Sequence, residues 1–175
     1  MKDGFDENCE AVVGALNKLM EMEGAERLIP EVGLNMIYSK PSPMVSEDVV
    51  GLDGRVVVSK AKPRACGEVA YGGSTYLSSV LIEVARLDPS KRAATVIRGG
   101  QNIANALKKL GKTVITLEPE TPGAMCPVAY YLSTGGKVFD AYSHPGAFGV
   151  EPTTTLVSND LKEILYTLRG LLVLV

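Results

Sequence analysis

Twice in this chain a glycine pair stands at the head of a helical repeat. Gly72-Gly73-Ser74 precedes Leu77, Val80, Leu81, Val84 and Leu87, and Gly99-Gly100 joins the β-branched stretch Ala94 to Arg98 to a helix from Gln101 to Leu110. A strand that turns through glycine into an amphipathic helix is the building unit of a layered α/β domain. Three more strand candidates, Asn35 to Ser39, Asp48 to Val50 and Arg55 to Ser59, follow one another across turns such as Lys40-Pro41-Ser42-Pro43 and Asp53-Gly54. Those turns are too short for helical crossovers, so the pattern predicts an α/β fold whose sheet is mixed and partly antiparallel.

The remaining elements fit one domain over residues 1–175. Cys9, Val12, Val13, Leu16, Leu19, Met20 and Met22 recur at helical spacing, which predicts an N-terminal helix over residues 7–25. The core is read over residues 28–168, with later strands at Thr113 to Leu117, Val138 to Tyr142 and Thr153 to Val157. Val128 to Leu132 reads as a short helix or a strand, and Asp160 to Leu168 as the last helix. Beyond it lies an apolar tail, residues 171–175. Left loose it would be an aggregation hazard, so it is expected to pack as a strand or in a subunit contact, with burial in the same subunit as the alternative.

Composition narrows the class of function. The 175 residues carry 18 Lys plus Arg against 20 Asp plus Glu, which lacks the basic balance of a nucleic-acid binder. Too few residues precede Ile29-Pro30 to hold a helix-turn-helix. The longest apolar run, Leu171 to Val175, is far below the ~20 residues of a membrane span. The opening Met1-Lys2-Asp3-Gly4-Phe5-Asp6-Glu7 has no secretory apolar region, so neither nucleic acid nor membrane is expected as a partner and the location is expected to be cytoplasmic. Cys9, Cys66 and Cys126 form no Cys-x-x-Cys pair and read as reduced thiols.

Chemistry is sought first at Arg98-Gly99-Gly100-Gln101-Asn102, where a strand ends in a cation, two glycines and a helix start. Close backbone amides, the helix dipole and a bidentate Arg suit a phosphate, although a tight turn beside a solvated Arg98 would use the same residues. Gly73-Ser74-Thr75 opens another helix and could hold a second anion, or be an N-cap after a turn. His144 is the sole histidine, so any imidazole acid-base step belongs to it, and a histidine-rich metal site is excluded. It is read in a loop with Pro145-Gly146, where it could equally be an ordinary surface residue. Glu31 with Asn35, and Glu151, stand near Pro-bearing bends where solvation would also account for them. Mg2+ is open only through substrate phosphates and one or two carboxylates.

Taken in order, Leu28-Ile29-Pro30-Glu31-Val32-Gly33-Leu34-Asn35-Met36-Ile37-Tyr38, then Asp53-Gly54-Arg55, Tyr71-Gly72-Gly73-Ser74, Leu87-Asp88-Pro89, Arg92-Ala93-Ala94, Ile97-Arg98, Tyr142 to Gly149 and Glu151-Pro152 resemble the ThiN-type thiamine-phosphate synthase domain. This likeness spans residues 10 to 168. It implies a three-layer α/β/α domain similar to the aldolase-epimerase type, a homodimer, and a reaction joining hydroxymethylpyrimidine diphosphate to thiazole phosphate with release of pyrophosphate. Arg98 and His144 match the Arg and His important to such synthases. Gly73, Ser74, Thr75, Gly99, Gly100 and Asn102 are then expected to bind the phosphates, and Glu31, Asn35, Gly146 and Glu151 to line the site. The chain departs from the family pattern at Thr75-Tyr76 and at Val150. Related domains sense thiamine phosphates without catalysis, so a binding domain is the alternative implied.

Overall fold

Strand neighbours are antiparallel almost throughout, as closely spaced strands require. The computed structural model describes residues 4–123 and 126–175. Strands β1 (Met36–Ser39), β2 (Val49–Leu52), β5 (Val69–Tyr71), β6 (Ala93–Arg98), β7 (Val114–Thr116), β8 (Ala141–His144) and β9 (Thr153–Ser158) form one sheet. Its order is β5-β2-β1-β6-β9-β8-β7, and β3 (Arg55–Ser59) with β4 (Lys62–Cys66) makes a separate hairpin. The parallel pair, β7 with β8, is joined through α4 (Pro127–Ser133), a connection long enough to carry its strand back beside its predecessor.

The sheet separates two helical layers. On β6, Ala93 and Ile97 enter a core shared with α1 (Glu7–Glu21), α3 (Gln101–Lys109) and α5 (Leu161–Leu174). Ala94 and Val96 alternate to the other face, against α2 (Thr75–Leu87) and α4. This is the expected mixed α/β arrangement.

Several boundaries differ from the sequence pattern, each for a local reason. The N-terminal helix stops at Glu21; Gly24, at φ 81°, opens a 3-10 turn over Ala25–Leu28. His144 closes β8 and is buried, not carried in a loop. The tail is the last turn of α5, with Leu171 fully buried and Val173 exposed. The last helix runs on through Gly170, where a Cβ would lie 2.9 Å from the Leu110 side chain. Arg27 covers the end by donating to the carbonyls of Leu172 and Val175. The hairpin strand β4 contains Pro63 and four exposed polar or small residues, and the turn before it runs through Lys60 and Ala61, both at positive φ, without the usual Asn-Gly signal.

At the other end of α5, Asp160 Oδ1 accepts from the Glu163 amide at 2.8 Å. Asp160→Ala should therefore lower stability by about 1 kcal/mol and Tm by roughly 2–4 °C, read by thermal unfolding.

Candidate active site

One end of the sheet collects the ends of β6 and β8, the start of β9 and the residues leading into β1. Register places Arg98 opposite Thr153, and Thr153 opposite His144, so these three form one cross-strand row with Thr153 in the middle. Two strand spacings separate the outer members, about 10 Å at the backbone. Alternation puts Val96 and Thr155 one step inward on the same face.

Above this floor lie two adjoining cavities of about 310 Å3 each. They share Tyr76, Val96, Val150 and Thr153. The first is completed by Val32, Gly33, Asn35, Arg55, Ser74, Leu77, Gly149 and Glu151. His144, Thr155, Pro119, Thr121, Cys126, Pro127 and Val128 complete the second. Both are at the small end of ligand pockets, the size of a substituted ring.

Local folding explains how the polar groups are held. Asn35 stands one residue before β1, and its side-chain amide takes the place of a strand partner. Its Nδ2 donates to Leu52 O at 2.7 Å, and its Oδ1 accepts from Leu52 N and Met36 N. Glu151 accepts from the amides of Glu31 and Val32 at 3.1 and 2.9 Å, fastening the loop after β8 to the loop before β1. Gly73 has no room for a side chain: a Cβ would lie 2.3 Å from Gly51 O, so glycine lets the start of α2 settle onto β2.

His144 Nδ1 accepts from the Gly146 amide at 3.1 Å, which leaves the neutral ring's proton on Nε2. Gly146 itself, at φ 82°, lets the chain turn back so that Ala147 and Val150 exchange backbone hydrogen bonds. Burial, with Cys126 beside it, raises the Tyr76 phenol, which therefore stays a neutral hydroxyl at working pH. Beneath the second cavity, burial likewise pushes Tyr142 up to about 12, and its hydroxyl accepts from the Phe139 amide.

Of the residues expected from sequence, Asn35, Ser74 and Glu151 line the first cavity and His144 the second. Arg98 stands at the end of the floor row and lines neither; its Nε donates to Ile29 O at 2.7 Å. Gly99, Gly100 and Asn102 also lie outside both cavities, because α3 packs against the opposite face through Ile103, Ala106 and Leu107. Glu31 and Thr75 are exposed and outside the lining; Gly73 and Gly146 are half-buried and also outside it, their parts played by backbone approach and turn formation. Sequence reasoning read the strand Arg55 to Ser59 but missed its partner β4, and with it the hairpin that docks Arg55 at the site. It also missed Thr153 and Thr155, although Thr-x-Thr-x-Val along β9 signals a strand face that is polar at one end and buried at the other.

Among the described residues, no group of three or more His, Cys, Asp or Glu side chains could hold a metal ion. Among those same residues, no helix is long and apolar enough to cross a membrane.

Comparison with known proteins bears on the family and the fold. The family model for thiamine-phosphate synthase ThiN matches residues 11–169. The chain is 29% identical over 165 residues to the thiamine-phosphate synthase ThiN of Methanothermobacter thermautotrophicus, covering 89% of this chain and 87% of that protein. It is 26% identical over 142 residues to the bifunctional thiamine biosynthesis protein ThiDN of Methanocaldococcus jannaschii, covering 78% of this chain and 34% of that longer protein. A crystal structure of the C-terminal domain of phosphomethylpyrimidine kinase superposes with a TM-score of 0.81 at 28% identity, covering 94% and 97% of the two chains. L-fuculose-1-phosphate aldolase from Thermus thermophilus, at 17% identity and a TM-score of 0.54 over 93% and 89% of the two chains, shares the fold.

Proposed function

This chain belongs to the ThiN family of thiamine-phosphate synthases, and on that premise we propose that its cleft joins hydroxymethylpyrimidine diphosphate to thiazole phosphate. The observation that carries the reading is the pair of ring-sized cavities over one floor, with Arg98 and His144 at the two ends of a single cross-strand row. The bond between the pyrimidine methylene and the diphosphate oxygen breaks, and its electron pair leaves with pyrophosphate. The thiazole nitrogen lone pair then forms the new carbon–nitrogen bond. No protein nucleophile is required, so the chain's task is to align two rings and neutralise departing charge.

In this reading the second cavity, whose lining has no carboxylate and no permanent cation, receives the uncharged pyrimidine ring. His144 Nε2–H donates to the departing oxygen. Arg98, at the end of the floor row, neutralises the pyrophosphate. The start of α2 in the first cavity takes the thiazole phosphate. Mg2+ enters with the diphosphate as part of the substrate. A cytoplasmic location and a homodimer accompany the proposal.

The test is direct. Purified protein incubated with both substrates and Mg2+ should form thiamine phosphate, detected by fluorescence after oxidation. Absence of product together with saturable binding of thiamine phosphate would replace the synthase with a sensor or carrier.

A further inference from the structure

The first cavity offers more hydrogen-bond donors than its own lining consumes. Its best acceptors are already occupied: both Glu151 carboxylate oxygens by the amides of Glu31 and Val32, and Asn35 Oδ1 by those of Leu52 and Met36. Donors are left over. Ser74 is only 4% exposed, yet no acceptor among the described residues meets its Oγ, and as the N-cap of α2 it makes no side-chain cap bond. The amides of Thr75, Tyr76 and Leu77 open a thirteen-residue helix with no acceptor among the described residues. Arg55 spends Nη1 on Gly54 O and forms no ion pair among the described residues. An open cleft whose carboxylate is already engaged, with surplus donors and one cation, is complementary to an anion.

The charge count sets the kind of anion. A phosphate monoester carries about −1.5 to −2 at pH 7. Arg55 supplies one positive charge and a helix N-terminus roughly half of one, set against the Glu151 carboxylate that lines the same cavity and is engaged by the Glu31 and Val32 amides; one guanidinium fork suits a single phosphate monoester rather than a diphosphate.

The backbone, not a salt bridge, holds Arg55 there. Leu34 and Val56 exchange backbone hydrogen bonds of 2.8 Å, docking the hairpin against the segment before β1. Gly33, at φ 88°, makes room for Arg55: a Cβ at Gly33 would lie 2.7 Å from the Arg55 Cβ. The cation thus belongs to the hairpin and the hydroxyl to α2, and they meet only across the cavity.

Resting on the synthase reading, we infer that Arg55 is the residue that selects the phosphorylated thiazole, holding its phosphate against Ser74 and the start of α2. The discrimination is between the phosphate monoester and the corresponding free alcohol.

Steady-state kinetics on Arg55→Ala, Arg55→Lys and Ser74→Ala read this out one substrate at a time. Arg55→Ala should raise KM for thiazole phosphate about ten- to hundredfold, the range of a lost charge-assisted hydrogen bond. It should leave KM for the pyrimidine diphosphate within about twofold and abolish the preference for the phosphorylated thiazole over its alcohol. Arg55→Lys should recover part of the loss, because lysine keeps the charge but not the fork. Calorimetric titration with thiazole phosphate alone reads the same site without turnover. Arg55-dependent binding in a protein that makes no product would keep this subsite and remove the synthase. An active enzyme in which Arg55→Ala leaves KM for thiazole phosphate unchanged, or raises KM for the diphosphate instead, overturns the subsite and leaves the synthase standing.

Discussion

Arg98→Ala should lower kcat for thiamine phosphate formation by about 100- to 1000-fold, the scale of losing one group that stabilises charge in the transition state. Pyrophosphate leaves as a concentrated anion, so a guanidinium at the end of the floor row contributes most when the carbon–oxygen bond is nearly broken. Ground-state binding depends on it less, so KM should move less than kcat. The Nε bond to Ile29 O makes Arg98 a structural contact as well. Removing that bond costs about 1 kcal/mol, which circular dichroism melting would register as a Tm fall of roughly 2–4 °C. Arg98→Lys separates the two roles. Lysine keeps a charge at the end of the row, so it should restore more activity than melting temperature. Full turnover in Arg98→Ala would remove the residue from the mechanism, and pyrophosphate stabilisation would have to come from Mg2+ and backbone amides.

The same residue shows what was legible in the sequence and what was not. Glycine pairs and apolar periodicity identify α2, β6 and α3 almost to the residue, because their signals are local. Whether two glycine turns open into one site is a question of layers. Ser74 and Asn102 both follow a glycine pair at a helix start, yet α2 packs on the cleft face of the sheet and α3 on the other, and only Ser74 enters a cavity. Periodicity within each helix says which side is apolar but not which face of the sheet receives it.

What Arg55 pairs with and what Asn35 does are less legible. Strand β3 is read at its observed bounds, but the turn at Lys60 and Ala61 adopts positive φ without glycine, so its pairing with β4 leaves little local trace. Asn35 reads as an exposed amide near a bend, whereas its side chain completes the edge of β1 by bonding both backbone groups of Leu52. Long-range pairing decides both, and single-sequence patterns do not record it. Tyr76 and Val150, where the chain departs from the family pattern, line both cavities. The departures thus fall on the wall that the two proposed ring sites share, where an apolar surface suits the rings on its two sides.

His144 admits a sharper experiment than alanine, because Nδ1 alone is engaged by a backbone amide among the described residues. Nδ1 accepts from the Gly146 amide and so helps fix the loop that carries Val150 and Glu151. Nε2–H is the one left for substrate. Asparagine places an oxygen near the position of Nδ1 but reaches no further, while glutamine extends an amide donor toward that of Nε2 and loses the loop contact. His144→Asn should therefore melt close to the unmodified protein while kcat falls about 100-fold or more, the usual contribution of a positioned proton donor. His144→Gln should show the reverse order, with a Tm lower by roughly 2–4 °C, as expected for about 1 kcal/mol of lost hydrogen bonding, and more of the activity retained. Activity that instead follows melting temperature across the Asn, Gln and Ala variants would make His144 a positioning residue for the loop, acting through Glu151 and Val150, with the departing oxygen served by Arg98 alone.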